Sequence, residues 1–237
     1  MLCPAPPLLA RDLTGRDLVL PELRDACARA VAELVRADPE VIVVVGPAAE
    51  TAEWDPESRP DLSPYAPALG PGGRAGLPLA LGLGALLLDQ AGYTGRRVLQ
   101  AVAGHEPARA CTALGAQWAA TATATGTAGT GTGTGATAML AMGDGSARRS
   151  TAAPGYLDER AVPFDTAVED AVRAGDLAAL AGVDPALARD LMATGRPAWQ
   201  VLAGALGSAQ RPATDILYAD APFGVAYLVA VFTPAEG

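Results

Sequence analysis

Val41-Ile42-Val43-Val44-Val45 is a continuous run of β-branched residues, and it decides the fold. A run that is apolar on both faces predicts a strand buried inside a parallel sheet. An amphipathic helix is predicted before the run, over Glu22–Ala37. Gly46-Pro47-Ala48-Ala49-Glu50 follows the run, and open α/β sheets bind ligands beyond the carboxyl ends of their strands. This segment, as far as Glu50, is therefore a candidate edge of a binding cleft.

The rest of the chain continues the alternation of strands and helices. Further strands are predicted over Arg97–Ala103, Ala138–Met142, Thr214–Tyr218 and Val225–Phe232. Further helices are predicted over Leu77–Gly92, Pro107–Ala119, Pro163–Ala174, Asp176–Leu180, Pro185–Ala193 and Ala198–Leu206. We expect an α/β protein with a mixed, largely parallel central sheet flanked by helices, forming one domain over residues 1–237.

Two stretches carry no clear periodicity. Residues 51–76 are rich in Pro, Gly, Ser and Asp and are predicted to form a long loop. Residues 120–138 are a low-complexity sequence of Ala, Thr and Gly. Their Gly-Thr repeats are similar to a phosphate-binding loop, but they lack the lysine of a P-loop and no GxGxxG opens a helix. We therefore predict a flexible loop insertion there.

The composition excludes several kinds of chemistry. All 17 basic residues are Arg, so a Schiff-base lysine and a pyridoxal phosphate anchor are excluded. His105 is the single histidine, so one chain cannot build a metal site that needs two imidazoles. The net charge of −9 argues against nucleic acid and anionic membranes as partners, since both attract an excess of basic residues.

Cysteine usage and hydropathy indicate a cytoplasmic protein. Cys3, Cys27 and Cys111 are widely spaced and form no CxxC pair, so neither a zinc site nor a disulfide framework is predicted. No signal peptide is recognised at the N-terminus. The longest apolar run, Leu77–Leu88, is shorter than the roughly 20 residues that a membrane-spanning helix needs.

Several short motifs occur in the order found in one enzyme family. They are Cys3–Leu9, Val43–Ala48, Met142–Arg149, Ala153–Tyr156, Pro163–Asp165, Ala198–Leu206 and Asp220–Tyr227. In this serial order the chain resembles the class III extradiol ring-cleavage dioxygenases of the LigB type and the related Memo-like proteins, in particular their actinobacterial branch. The resemblance implies a LigB-like α/β fold over almost the whole chain, and homodimers are common in the family.

The resemblance also implies where an iron centre would lie. Active members hold Fe(II) with two His and one carboxylate, and use another His as acid/base. The ligand positions correspond to Ala5 and Ala48, the acid/base position to Ala147, and the late carboxylate to Asp220. An alanine methyl donates no ligand, so we expect no metal site and no cofactor, with Fe(II) bound only if the family activity is retained.

The N-terminal strand departs from the family pattern. Family members have a full strand before the Cys-Pro-His motif, whereas only Met1 and Leu2 precede Cys3 here. Either the chain starts further upstream, or the central strand is shortened.

The candidate cleft residues allow two interpretations each. Asp144 and Ser146 lie in a Gly-rich turn, and Arg148 and Arg149 follow. In one interpretation they form a pocket lip that binds a small polar ligand, with the arginines attracting an anion. In the other, Asp and Ser bond their own backbone, as turn residues do.

The remaining candidate residues also allow two interpretations each. Tyr156 lines the same cleft or simply packs. His105 is a surface residue or a catalytic one. Cys3 is a buried apolar group or a reactive thiol, and Asp220 is a turn carboxylate or a ligand.

Two classes of function follow. The first is a non-catalytic relative that binds a small molecule or a protein partner in the old cleft. The second is an enzyme: either a non-haem Fe(II) ring-opening dioxygenase whose ligands are completed by a partner chain, or a metal-free catalyst that uses Asp144, Asp220 and the arginines. The missing ligands favour the first, and fold analogy favours the second.

Overall fold

The computed structural model describes residues 1–15, 19–70, 76–125, 136–207 and 211–233. The strands within these residues are β1 (Leu2–Cys3), β2 (Val41–Ala48), β3 (Ala52–Trp54), β4 (Arg96–Ala103), β5 (Thr137–Met142), β6 (Ala213–Asp220) and β7 (Tyr227–Thr233). The helices are α1 (Arg11–Thr14), α2 (Pro21–Arg36), α3 (Leu79–Gln90), α4 (Ala108–Thr125), α5 (Ala161–Arg173), α6 (Leu177–Ala181), α7 (Pro185–Asp190) and α8 (Arg196–Leu206). Short 3-10 turns lie at Pro7–Leu9, Pro67–Leu69 and Pro222–Gly224.

The strands form one mixed sheet in the order β3-β4-β2-β5-β1-β7-β6. The four central strands β4, β2, β5 and β1 run parallel, and the outer pairs β3–β4, β1–β7 and β6–β7 are antiparallel. The predicted α/β class with a mixed, largely parallel sheet flanked by helices is therefore confirmed.

The β2 strand shows why the β-branched run decides the fold. Ile42 and Val44 point into an apolar cluster that contains residues of α2 and α3. Val43 and Val45 point into a second cluster, formed mainly with α5 and α8. Because successive side chains of a strand alternate between faces, this strand must be apolar at every position to be covered by helices on both sides.

Most predicted elements are present with shifted ends. The helix predicted over Glu22–Ala37 is α2 and spans Pro21–Arg36, and β2 continues three residues past the predicted run, to Ala48. The helix predicted over Pro185–Ala193 ends at Asp190, and the last strand begins at Tyr227 rather than Val225. Asp184 caps α7 by accepting hydrogen bonds from the backbone of Ala186 and Leu187.

Two loop predictions need correction. Residues 51–76 contain β3, which pairs antiparallel with β4 through Ala52–Trp54 and gives the sheet an additional edge strand. Residues 120–138 do not form a loop throughout, because α4 continues to Thr125 and β5 begins at Thr137. Alternating Ala and Thr extend the helix there, since neither residue interrupts it as Gly does. The predicted flexible loop otherwise falls on 126–135, outside the described residues.

The β1 strand is only two residues long, although it lies near the centre of the sheet. Leu2 and Cys3 pair with Ala141 and Met142 of β5, and Leu2 also pairs with Ala230 of β7. The chain then leaves the sheet at Pro4. This short strand places Ala5 at the carboxyl edge of the parallel strands.

Helices α4 and α8 pack with their backbones in close approach. A Cβ atom on Gly115 would lie 1.9 Å from the Val201 carbonyl oxygen, and one on Gly204 would lie 2.1 Å from the Thr112 carbonyl oxygen. Both positions therefore exclude any side chain. Among the described residues, no helix is both long and apolar enough to span a bilayer.

We expect Gly115→Ala to destabilise the protein, because the new methyl group would overlap the backbone of α8. Overpacking costs about 1–3 kcal/mol in general, and the better helix propensity of Ala recovers at most about 1 kcal/mol. A net loss of about 2 kcal/mol should appear as a lower urea midpoint. Gly104→Ala is the control, since nothing lies within 4 Å of its added Cβ. Equal midpoints for the two variants would contradict this packing.

Candidate functional site

Three parallel strands bring Ala5, Asp144 and Ala48 to one level at the carboxyl edge of the sheet. Val45 pairs with Ala141, and Cys3 pairs with Met142. Continuing this register, Ala48 of β2 and Ala5 beyond β1 both come level with Asp144. Because β5 lies between β2 and β1, Asp144 occupies the centre of the row.

Asp144 joins the ends of three elements. Its Oδ1 accepts a hydrogen bond from the Ala5 backbone N–H at 2.7 Å. Its carbonyl oxygen accepts one from the Gly195 N–H at 2.8 Å, and its own N–H donates to Thr194 Oγ1 at 3.3 Å. One residue thus ties β5 to the segment after β1 and to the start of α8.

Glycine is required where this loop meets α8. Gly143 has a φ of +151°, and a Cβ atom there would lie 2.4 Å from the Gly195 Cα. A Cβ on Gly195 would in turn lie 2.4 Å from the Trp199 ring. The two glycines therefore allow the backbone contact between Gly195 and Asp144.

The Asp144 carboxyl group has a pKa well above that of a free aspartate. Burial raises its pKa to about 7, and the hydrogen bond from Ala5 opposes this rise only in part. Two phenols lie nearby, since burial and then the charge of Asp144 raise the pKa of both Tyr65 and Tyr227. In the described part of the chain, no hydrogen bond reaches the other carboxyl oxygen, Oδ2. Asp144 can therefore accept or donate a hydrogen bond to a ligand near neutral pH.

The three alanines implied as former histidine positions share one apolar environment. Ala5 and Ala147 are buried in the same hydrophobic cluster, and Ala48 packs against it. The Ala147 N–H donates to the Leu191 carbonyl oxygen at 3.0 Å, just before the segment that contacts Asp144. Methyl groups, which donate no ligand, occupy all three positions.

Ser146 is directed away from this edge, into a polar contact with α5. The residue is 0% exposed, and its hydroxyl donates to Asp165 Oδ2 at 2.5 Å while its N–H donates to Oδ1 at 2.9 Å. Burial raises the pKa of Asp165, although these hydrogen bonds and the Arg149 guanidinium, 3.8 Å away, oppose the rise. Ser146 and Arg149 therefore anchor the loop to α5.

Arg148 and Tyr156 belong to the surface of the same loop. The Arg148 side chain donates to the carbonyl oxygens of Gly155 and Asp190, at 2.7 and 2.9 Å. Tyr156 is 61% exposed and has a φ of +60°. Neither side chain lines the cavity of about 440 Å³ that lies beneath α7 and α8.

The other sequence candidates lie apart from Asp144. Asp220 ends the outermost strand β6, three strand spacings, or about 14 Å, from β5, the strand that leads to Asp144. It lines a separate small cavity of about 160 Å³ with Arg149 and Asp165. Glu50 is exposed beyond β2. Cys3 is buried, and a hydrogen bond with its thiol, together with burial, raises the pKa of Cys27.

A cavity of about 440 Å³ lies at the carboxyl ends of β2 and β4, beneath α7 and α8. Its lining includes Pro47, Ala48, His105, Arg189, Met192 and Arg196. Thr194, which bonds Asp144, also lines it. A volume of this size is within the range of small-molecule sites, about 300–1,000 Å³.

A larger cavity of about 540 Å³ lies at the opposite end of β4. There Arg97 is paired with Asp89 at 2.7 Å and also donates to the Tyr93 carbonyl oxygen. We give more weight to the carboxyl-edge cavity because parallel sheets bind ligands at that end.

The described residues contain no cluster of three or more His, Cys, Asp or Glu side chains that could hold a metal ion. The sequence alone did not identify Arg196, Arg189, Thr194 or Asp165 as site residues. Asp165 was within a quoted motif, but a buried arginine inside Thr-Gly-Arg-Pro carries no local signal of its burial.

No protein-family model matches the chain, and no curated protein sequence matches it. A similar solved structure is the crystal structure of uncharacterized protein JW3007 from Escherichia coli K12. The two are 15% identical, with a TM-score of 0.52 over 87% of this chain and 91% of that one. At this identity the likeness concerns the fold alone, so the LigB-type resemblance stays a prediction.

We expect Asp144→Asn to stabilise the protein at high pH. The folded pKa of about 7 exceeds the reference value of 3.8, so the folded state binds the proton more tightly. The resulting stability is complete below about pH 4 and is lost as the pH rises through 7. The amide keeps the acceptor for Ala5 and cannot ionise, so the variant should gain up to about 4 kcal/mol at pH 8 and little at pH 4.

Urea unfolding of both proteins from pH 4 to 8 measures this difference. Asp220→Asn, at an exposed carboxylate, should change stability by less than about 0.5 kcal/mol throughout. If wild type and Asp144→Asn differ in free energy of unfolding by the same amount at pH 4 and at pH 8, Asp144 is solvated and the prediction is wrong.

Proposed function

We propose that the protein is a non-catalytic relative of the LigB-type dioxygenases that binds a small molecule in the carboxyl-edge cleft. The cleft is the region around Ala5, Ala48 and Asp144 together with the cavity beneath α7 and α8. The proposal rests chiefly on one observation: Ala5 and Ala48 flank Asp144 at the edge where this type of sheet binds ligands.

The residues present do not fit the Fe(II) centre that the resemblance implies. A facial triad needs two imidazole nitrogens and a carboxylate around one ion. Asp144 is the carboxyl group at the centre of the row, and its neighbours are apolar methyl groups. One carboxylate alone leaves a divalent ion bound mainly by water. We therefore assign no step to iron.

The chemistry that remains is recognition by Asp144 and the cavity. A carboxyl group with a pKa of about 7 can present either a proton or a lone pair from Oδ2. The phenols of Tyr65 and Tyr227 are close enough for the charge of Asp144 to contribute to their raised pKa values. A metal-free catalyst that combines Asp144 with Asp220 is not favoured, because Asp220 is on the far edge strand.

The same proposal places the protein in the cytoplasm. The three cysteines are free and buried, in keeping with a reducing compartment. The resemblance also implies a homodimer, and a protein partner is the alternative to a small molecule as the occupant of the cleft.

Anaerobic titration with Fe(II) tests the proposal. We expect the wild type to bind iron far below stoichiometry and to show no catechol-dependent O₂ uptake. The combined variant Ala5→His, Ala48→His and Ala147→His should bind about one Fe(II) per chain, because two imidazoles then flank the Asp144 carboxylate. Asp144→Asn in that variant is the matched control and should lose the gain.

Two results would contradict the proposal. Stoichiometric iron in the wild type, with catechol-dependent O₂ uptake, would establish a dioxygenase instead. A folded triple variant that binds no more iron than the wild type would show that these alanines do not converge on one centre.

A further inference from the structure

Arg196 is a buried cation that, within the described residues, pairs with no carboxylate. It begins α8 and is 1% exposed. Its Nη1 donates to the Glu106 carbonyl oxygen at 2.6 Å and to Gln200 Oε1 at 2.9 Å, and its Nη2 donates to the Gly104 carbonyl oxygen at 2.5 Å. The Cys111 sulfur, 3.7 Å from Nη1, is a fourth acceptor. All four acceptors are neutral, and no ion pair of Arg196 is found among the described residues. A buried charge held only by dipoles retains much of its attraction for an anion.

The guanidinium also keeps donors for a ligand. Among the described residues, nothing accepts a hydrogen bond from its Nε–H or from the second Nη2–H. Arg196 is also among the residues that line the 440 Å³ cavity. The fork of an arginine matches the two oxygens of a carboxylate or phosphate.

Arg189 is the second charged side chain in the lining of this cavity. Arg189 and His105 line it and are exposed. The nearby acidic groups are Asp144, whose N–H bonds Thr194 of the lining, and Glu106, whose carboxylate accepts a hydrogen bond from the Thr51 hydroxyl at 2.8 Å. Asp190 follows Arg189, but its carboxylate is 3.4 Å from Arg160. An anion entering the cavity therefore meets Arg189 at the mouth and Arg196 at the wall.

The rest of the wall is apolar. Pro47, Ala48, Met192 and Pro197 contribute carbon surface. Met192 has a φ of +58°, although it is 45% exposed. A bulky residue in this left-handed conformation is strained and persists only when the surroundings hold it. Here the strain presents a flexible thioether side chain beside the cationic groups.

We infer that this cavity binds a small organic anion, a carboxylate or a phosphate monoester with an apolar body. Its anionic group would bind Arg196 and Arg189, and its apolar part would contact Ala48, Pro47 and Met192. The inference rests on the proposed function and names the ligand class of the same cleft.

Matched probes of equal shape test the inference. Benzoate, phenyl phosphate and the neutral benzamide are titrated into the full-length protein, and dissociation constants are taken from the amide resonances of Ala48 and Gly104. A charge-assisted hydrogen bond contributes about 1.5–3 kcal/mol, so at least one anion should bind about 10-fold or more tightly than benzamide. Whichever of benzoate and phenyl phosphate binds more tightly assigns the anionic group.

Three variants locate the site. Arg189→Gln should weaken the anion several-fold and leave benzamide unchanged, because the exposed arginine supplies charge rather than packing. Arg29→Gln, the same change on the exposed face of α2, should leave all three dissociation constants unchanged. Ala48→Leu should abolish binding of every probe by filling the cavity. Arg196 itself is not replaced, since its buried hydrogen bonds also stabilise α8.

The outcomes separate this inference from the proposed function. Equal binding of benzoate and benzamide, or an Arg189→Gln variant that binds the anions as the wild type does, overturns the anion inference and leaves a neutral-ligand cleft. No binding of any probe at these amides also overturns it. Stoichiometric Fe(II) uptake by the wild type overturns the proposed function, whatever the probes do.

Discussion

The carboxyl edge of this sheet depends on one half-buried carboxyl group, that of Asp144. Asp144 receives the Ala5 N–H on its side chain and the Gly195 N–H on its carbonyl oxygen. Through these two contacts the short strand β1, the end of β5 and the start of α8 are fixed relative to one another. An active site built on a metal would join the same elements through ligands to an ion. Here a hydrogen-bonded carboxyl and two glycines in close approach do so.

Two ionisable groups of opposite charge, Asp144 and Arg196, lie at the start of α8. No ion pair between them is found among the described residues. Asp144 bonds Gly195, whereas Arg196 bonds the carbonyl groups of Gly104 and Glu106. Burial raises the pKa of Asp144 and lowers the pKa of Arg196, so each group is held at a cost to its charged form. Groups with such shifted pKa values occur at functional sites and also in structural networks. Both groups lie at the edge that borders the 440 Å³ cavity.

The fold could be predicted from local sequence patterns, whereas much of the site could not. The β-branched run, the amphipathic helix before it and the Asp-Pro start of α7 are signals that neighbouring residues determine, and all three were recovered. The antiparallel strand β3 was missed because its pairing with β4 is a long-range contact in a segment rich in turn residues. Asp144 was a candidate site residue because the sequence places it in a Gly-rich turn. Arg196 was not, because its burial depends on residues 90 positions away in the chain.

Direct titration of Asp144 tests whether a half-buried carboxyl group with a pKa near neutrality organises this edge. The ¹³C resonance of its carboxyl carbon, followed from pH 3 to pH 9 in the wild-type protein, gives its pKa without reference to stability or ligand. We expect a midpoint near 7. A midpoint near 4, the value of a solvated aspartate, would contradict it and would make Asp144 an ordinary turn residue.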